Sequence, residues 1–151
     1  MASTNSRQVK KYLIFKIESE EYGLNINYIT TIIKHEVCFA RVPKTPCFLK
    51  GVFNLRGEII PVISLRLKLG LPEEVIDEET RIIIVKFDEI SAGLIVDCVF
   101  EVLELVENET ESITNIEVDS SLDYISGIGK SNGRIINLLN LQNLLSLSVT
   151  E

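Results

Sequence analysis

The chain has 151 residues, 46% of them hydrophobic and 25% charged, with a formal net charge of -7. That length suits one compact domain or two very small ones, and the hydrophobic share supports a buried core rather than global disorder. The acidic balance, without clustered cations to neutralise phosphates, argues against nucleic acid and against an anionic membrane surface as partners.

In chain order, MASTNSRQVKK (1–11) lacks the apolar stretch of a signal peptide and is expected to be a mobile tail. No segment approaches the roughly 20 apolar residues of a membrane span, so a soluble, cytoplasmic protein without membrane insertion is expected. YLIFKI (12–17) and EYGLNI (21–26) read as strands divided by a charged break. Cys38, Cys47 and Cys98 are odd in number, widely spaced and form no CxxC. Buried free thiols in a reducing compartment are expected, not disulfides or metal ligands. His35, the sole histidine, has no Ser, Cys or acidic partner at a motif spacing and reads as a surface residue.

GVFNLRGEIIPVISL (51–65) sets Arg56 between two glycines in an otherwise apolar run. Strand-like sequence on both sides predicts a hairpin with Arg56 at its tip. A two-residue type I′ turn would hold Arg56 at positive φ, whereas a three-residue loop with a glycine bulge would hold only Gly57 there. Ile59-Ile60-Pro61-Val62-Ile63 does not alternate cleanly, which predicts burial on both faces. Pro61 cannot donate a ladder hydrogen bond and is expected at an edge or bulge. SLRLKLGLP offers Ser64 as N-cap, Gly70 as C′ and Pro72 beyond, which predicts one short helix. PEEVIDEET (72–80) is acidic and reads as a solvated linker. RIIIVKF (81–87) and AGLIVDCV (92–99) read as strands, and NLQNLLSL (140–147) as a closing helix.

The most informative feature is internal. GIGKSNGRIINLLNL, from Gly127, repeats GVFNLRGEIIPVISL, from Gly51, at one constant offset. Gly133 answers Gly57, Ile135-Ile136 answers Ile59-Ile60, and Leu141 answers Leu65. Asn132-Gly133 stands opposite Arg56-Gly57, and Asn-Gly between strands is a strong hairpin signal. A fainter match sets Gly23 on Gly93, Ile29 on Val99 and Ile32 on Val102. The period is too long for a solenoid and two copies are too few. The expectation is a mainly β chain: two small barrels packed side by side, one at 12–71 and one at 81–151, with few short helices. Because the second copy makes its turn with Asn132, the turn itself does not require Arg56, which favours a functional role. Asp97 has no paired carboxylate or nucleophile nearby in the pattern, and no phosphate loop, metal-ligand set or cofactor motif appears, so catalysis is not expected.

KGVFNLRGEIIPVISLR, preceded by VPKTPCFL and followed by AGLIVDCVFEVLEL and YISGIGKSNGRIINLLNLQNLL, resembles the CheW family of bacterial chemotaxis coupling proteins. The resemblance runs from about Lys11 to Leu145, with the motifs in order. It implies two five-stranded β-barrels related by a pseudo-twofold repeat. It also implies a non-catalytic scaffold that joins the cytoplasmic tips of methyl-accepting chemoreceptors to the regulatory domain of the histidine kinase CheA. The receptor's helical hairpin would lie in a groove between the barrels, lined by Ile29, Gly51, Arg56, Gly93, Val99 and Val102. Kinase-binding residues are not assigned individually; Arg81–Phe87 is expected to offer an edge for that contact. The chain departs from the family pattern at Thr31, where Glu is frequent, and at Ser64 and Asn140, where Asp is frequent; Ser and Asn also cap helices. Two alternatives stand beside this reading: a barrel binding a small molecule, and a CheW-like regulatory module of another signalling system.

Overall fold

The computed structural model describes residues 9–36, 39–106, 110–112 and 124–145. Its strands are β1 (Val9–Ile17), β2 (Glu20–Asn25), β3 (Ile29–Lys34), β4 (Leu49–Leu55), β5 (Glu58–Ser64), β6 (Arg81–Phe87), β7 (Ile90–Val96), β8 (Cys98–Val106), β9 (Thr110–Ser112), β10 (Ile125–Ser131) and β11 (Arg134–Leu139). Two single-turn helices follow β5 and β11: α1 (Leu65–Lys68) and α2 (Leu141–Leu144). No helix among the described residues is long and apolar enough to cross a membrane. Val9–Lys11, expected in the tail, are already strand; the rest of that tail, Cys38 and the end of the expected closing helix lie outside the described residues.

The strands form two sheets. One runs in the order β8, β1, β2, β11, β10, with β9 added at its end; the other runs β3, β6, β7, β5, β4. Position for position, the two orders are the same once β1–β5 are matched to β6, β7, β8, β10 and β11. The repeat therefore holds, but its halves do not fold as separate blocks at 12–71 and 81–151. One compact unit takes the chain up to Asn27 and from Phe100 onward, and the other is Tyr28–Val99. Pairing between the copies produces this division: β3 joins β6 antiparallel, and β8 lies beside β1. β5 pairs in parallel with β7, and β11 with β2. The third and fifth strands of each copy thus find partners in the other copy.

Each sheet fills its own core. In the Tyr28–Val99 unit, Phe53, Ile60, Val62, Ile82, Ile84 and Ile95 form one buried cluster, with Ile33, Phe39 and Leu55 against it. In the other, Ile14, Leu105, Ile136 and Leu138 cluster beneath Tyr12 and Leu103. Ile83 and Val85 are as inaccessible as Ile82 and Ile84, so β6 is buried on both faces. β5 meets that expectation only at its end, where Ile63 and Ser64 are buried, because Ile59 is 59% exposed and Pro61 half-buried. Among the described residues no backbone ladder joins β8 to β10 or β3 to β4 to close either five-strand order. The Leu105 side chain of β8 nonetheless reaches across to Gly129 of β10.

Three local expectations meet their physical cause here. Pro61 lies opposite Val52, and the parallel ladder to β7 starts only at Val62, so its missing N–H costs no sheet bond. Ser64 Oγ accepts from the Leu67 N–H (3.2 Å) and Asn140 Oδ1 from the Asn143 N–H (3.1 Å), so both cap their helices. The repeat extends to the backbone just before each cap: Ser64 N donates to Phe48 O and Asn140 N to Tyr124 O, both at 2.7 Å.

Other expectations are corrected. The stretch 92–99 is not one strand: it breaks at Asp97, whose carboxylate is gripped by Arg66 through Nε (3.0 Å) and Nη2 (2.6 Å). β6 is no edge, because β3 and β7 pair along both its sides. Arg81–Val85, paired on both sides, therefore offers no open backbone edge to a kinase. Cys47 is exposed and Cys98 half-buried, so neither is a core thiol. His35 is half-buried against Phe39, with ring centroids 5.2 Å apart. The acidic linker is not wholly solvated either. Glu74 is buried, accepts from Ser64 Oγ and lies 3.2 Å from Lys50 Nζ, while Lys50 also pairs with Glu73.

Candidate functional site

The candidate residues sort by exposure before they sort by position. Arg56 and Val102 are exposed, Ile29 and Val99 half-buried, and Gly51 and Gly93 buried.

Arg56 sits where the hairpin signal places it, in a two-residue loop closed by the Leu55–Glu58 pair. Its φ is +53° and that of Gly57 is +89°, the pattern of a type I′ turn. The matching turn has +51° at Asn132 and +81° at Gly133. A left-handed conformation costs an ordinary L-residue about 1–2 kcal/mol and is cheapest for Gly, Asn and Asp. Asn132 fits that chemistry and Arg56 does not. The strain is borne at a tip whose side chain makes no hydrogen bond or ion pair with the described residues. Asn54 supports the loop: its Oδ1 accepts the Gly57 N–H at 2.9 Å.

Gly51 and Gly93 share one row across the Tyr28–Val99 sheet. Gly51 pairs with Val62, Val62 with Gly93, Gly93 with Ile84, and Ile84 with Thr31. Val62 and Ile84 belong to the core, so this row faces inward. A Cβ at Gly93 would lie 2.8 Å from Ile82 Cγ2. At Gly51, where the ladder bulges and φ is +151°, it would meet Ala40 O and Phe39 Cβ, each at 2.8 Å. Both glycines thus let neighbouring chain approach from inside their own unit. Ile29 lies beyond a register shift in β3 and pairs with Val85; the extra residue, Thr30, turns Ile29 to the face opposite Thr31 and Ile33.

Val102 lies on β8, two residues after Phe100 and exposed on the same face; they are 54% and 50% accessible. Lys16 Nζ stands 5.0 Å from the Phe100 ring centroid and the Arg134 guanidinium 5.4 Å. Arg134 also pairs with Glu21 (2.7 Å) and Glu101 (2.6 Å). Its hydrogen bond to Glu21, then that to Glu101, pushes the Arg134 pKa above its ordinary value. The exposed Phe100 ring therefore has two cations within cation–π reach.

Sequence reasoning overlooked Asn54, Glu74 and the Phe100 cluster. An Asn three residues before the turn glycine was the available signal for the first. The other two depend on partners distant in the chain. Among the described residues no group of three or more His, Cys, Asp or Glu is disposed to hold a metal ion.

Comparison with known proteins adds to this geometry. Residues 11–149 match the family described as CheW-like domain. The chain is 35% identical over 142 residues to the chemotaxis protein CheW of Helicobacter pylori, covering 93% of this chain and 84% of that one. It is 35% identical over 137 residues to CheW of Bacillus subtilis, covering 90% and 86%. The crystal structure of the scaffolding protein TtCheW from Thermoanaerobacter tengcongensis superposes with a TM-score of 0.86 at 35% identity, over 95% of this chain and 97% of that one.

Proposed function

This chain belongs to the CheW family of non-catalytic chemotaxis scaffold proteins, and from that premise we propose that it couples chemoreceptor tips to the regulatory domain of the histidine kinase CheA in the cytoplasm. Arg56 carries the receptor contact. The observation behind this reading is the strained turn: a guanidinium sits at positive φ on an exposed tip, without a local partner, where the second copy of the hairpin has Asn. An internal ion pair would account for an arginine; nothing of that kind engages this one among the described residues. Half-buried Ile29 and Val99 and exposed Val102 supply apolar surface to the same receptor helices. Gly51 and Gly93 act indirectly, by holding the sheet that presents them.

Co-sedimentation with a receptor tip fragment and a CheA kinase from the same genome tests the assignment. The wild-type protein retains both. Arg56→Ala keeps its circular dichroism spectrum and melting temperature, because exposed substitutions usually change stability by less than about 0.5 kcal/mol. It loses receptor affinity by a factor on the order of 30, the equivalent of a ~2 kcal/mol hot spot, while CheA binding persists. Arg56→Lys restores only part, since an ammonium lacks the planar fork. Unchanged receptor affinity in folded Arg56→Ala would reduce Arg56 to a solvated turn residue.

A further inference from the structure

We propose that Asn54 is a positioning residue for Arg56, fixing the direction in which the guanidinium is offered to the receptor; this rests on the reading of Arg56 given above. Four observations carry it. Arg56 makes no hydrogen bond or ion pair with the described residues, so among them the turn backbone is what directs it. That backbone holds a residue type ill suited to φ +53°. The Asn54 side chain spans the turn to the Gly57 N–H at 2.9 Å, tying the second central residue to the strand before the first. The other hairpin shows that this bond is not a general need of the loop. Its first central residue, Asn132, tolerates the left-handed region unaided, and the position matching Asn54 is Lys130, whose ammonium has no acceptor to offer. The clamp thus accompanies the arginine, not the turn. Its effect on binding is preorganisation: a tip already held in one conformation loses less freedom when the receptor engages it.

The test is a double-mutant cycle read by titration with a soluble receptor tip fragment, alongside hydrogen exchange at the Gly57 amide. Asn54→Ala speeds Gly57 exchange and weakens receptor binding about fivefold, the weight of one ordinary hydrogen bond. In the Arg56→Ala background the same change produces no further loss. Asn54→Asp, which keeps an acceptor oxygen at that position, retains both Gly57 protection and affinity, and also shows that the site tolerates substitution without unfolding. Independent, multiplying losses for Asn54→Ala and Arg56→Ala would overturn the proposal, because Asn54 would then touch the receptor itself. So would an Asn54→Ala protein with wild-type affinity while Arg56→Ala binds weakly. A silent Arg56→Ala would remove the receptor role of Arg56 first, and the positioning role with it.

Discussion

A methyl group added at Gly93 has to enter space already held by Ile82 and, at 3.3 Å, by Ile84. Both neighbours are pinned in a filled core, so neither yields without moving a strand. Gly93→Ala is expected to destabilise the protein by roughly 1–3 kcal/mol, as overpacking does, lowering its denaturation midpoint. Receptor binding per folded molecule stays near wild type, the reverse of the Arg56→Ala pattern; a large affinity loss in fully folded Gly93→Ala would instead place Gly93 at the contact itself. Both residues stood in the internal repeat, Arg56 in its strong block and Gly93 in the fainter match. What the sequence could not separate was their facing, because the row from Gly51 through Val62 to Gly93 depends on pairing between strands far apart in the chain. Arg56 needed no such knowledge, since a turn signal is local.

The same division between local and distant information holds for whole elements. Both helix caps, the two hairpin turns and β6 were legible, because each is written in consecutive residues. The docking of the acidic segment after α1 was not: Glu74 looks like its neighbours until Lys50 and Ser64 are brought beside it. This docking has a pH signature. Hydrogen bonding to Lys50 holds the Glu73 carboxyl below its ordinary pKa. Burial works against the Lys50 ammonium, yet hydrogen bonds to Glu73 and Glu74 raise its pKa overall. A carboxyl depressed by folding stabilises the fold above its unfolded pKa, and that contribution fades as pH falls through the folded value. A raised lysine contributes below its unfolded pKa and loses the effect as pH climbs through the folded one. Melting temperature followed against pH should therefore show an acid limb and an alkaline limb that Lys50→Met diminishes together. The amplitude is small, about 0–1 kcal/mol, since Glu73 is more than half exposed. Identical pH profiles for wild type and Lys50→Met would mean the segment is held by other contacts.

At the scale of the whole molecule, exchange of strands between the two copies decides which pieces can stand alone. A fragment ending at Asp77 contains one complete copy of the repeat, yet lacks β6 and β7, which complete the β3–β5 sheet, and β11, which pairs with β2. A fragment from Tyr28 to Val99 contains every strand of one sheet. The second is expected to keep more strand signal by circular dichroism and more slowly exchanging amides than the first. Mixing the fragment ending at Asp77 with one starting at Glu78 should restore native signal that neither gives alone. Independent folding of the Asp77 fragment would contradict the exchange. Sequence repetition showed that there were two equivalent plans, but a repeat says nothing of which copy each strand joins.

That exchange also dictates an order of assembly as the chain leaves the ribosome. β1 and β2 are synthesised first, but β2 waits for β11: the Asn137 side chain donates to the Glu21 carbonyl from 116 residues further along. At about 5–20 residues per second, the delay is on the order of ten seconds. All the strands of the Tyr28–Val99 sheet emerge during that interval, so the unit inserted in the middle of the chain can close while the one formed from its two ends is still open. Until Arg134 arrives to pair with Glu21, β2 presents a bare edge to any other chain nearby.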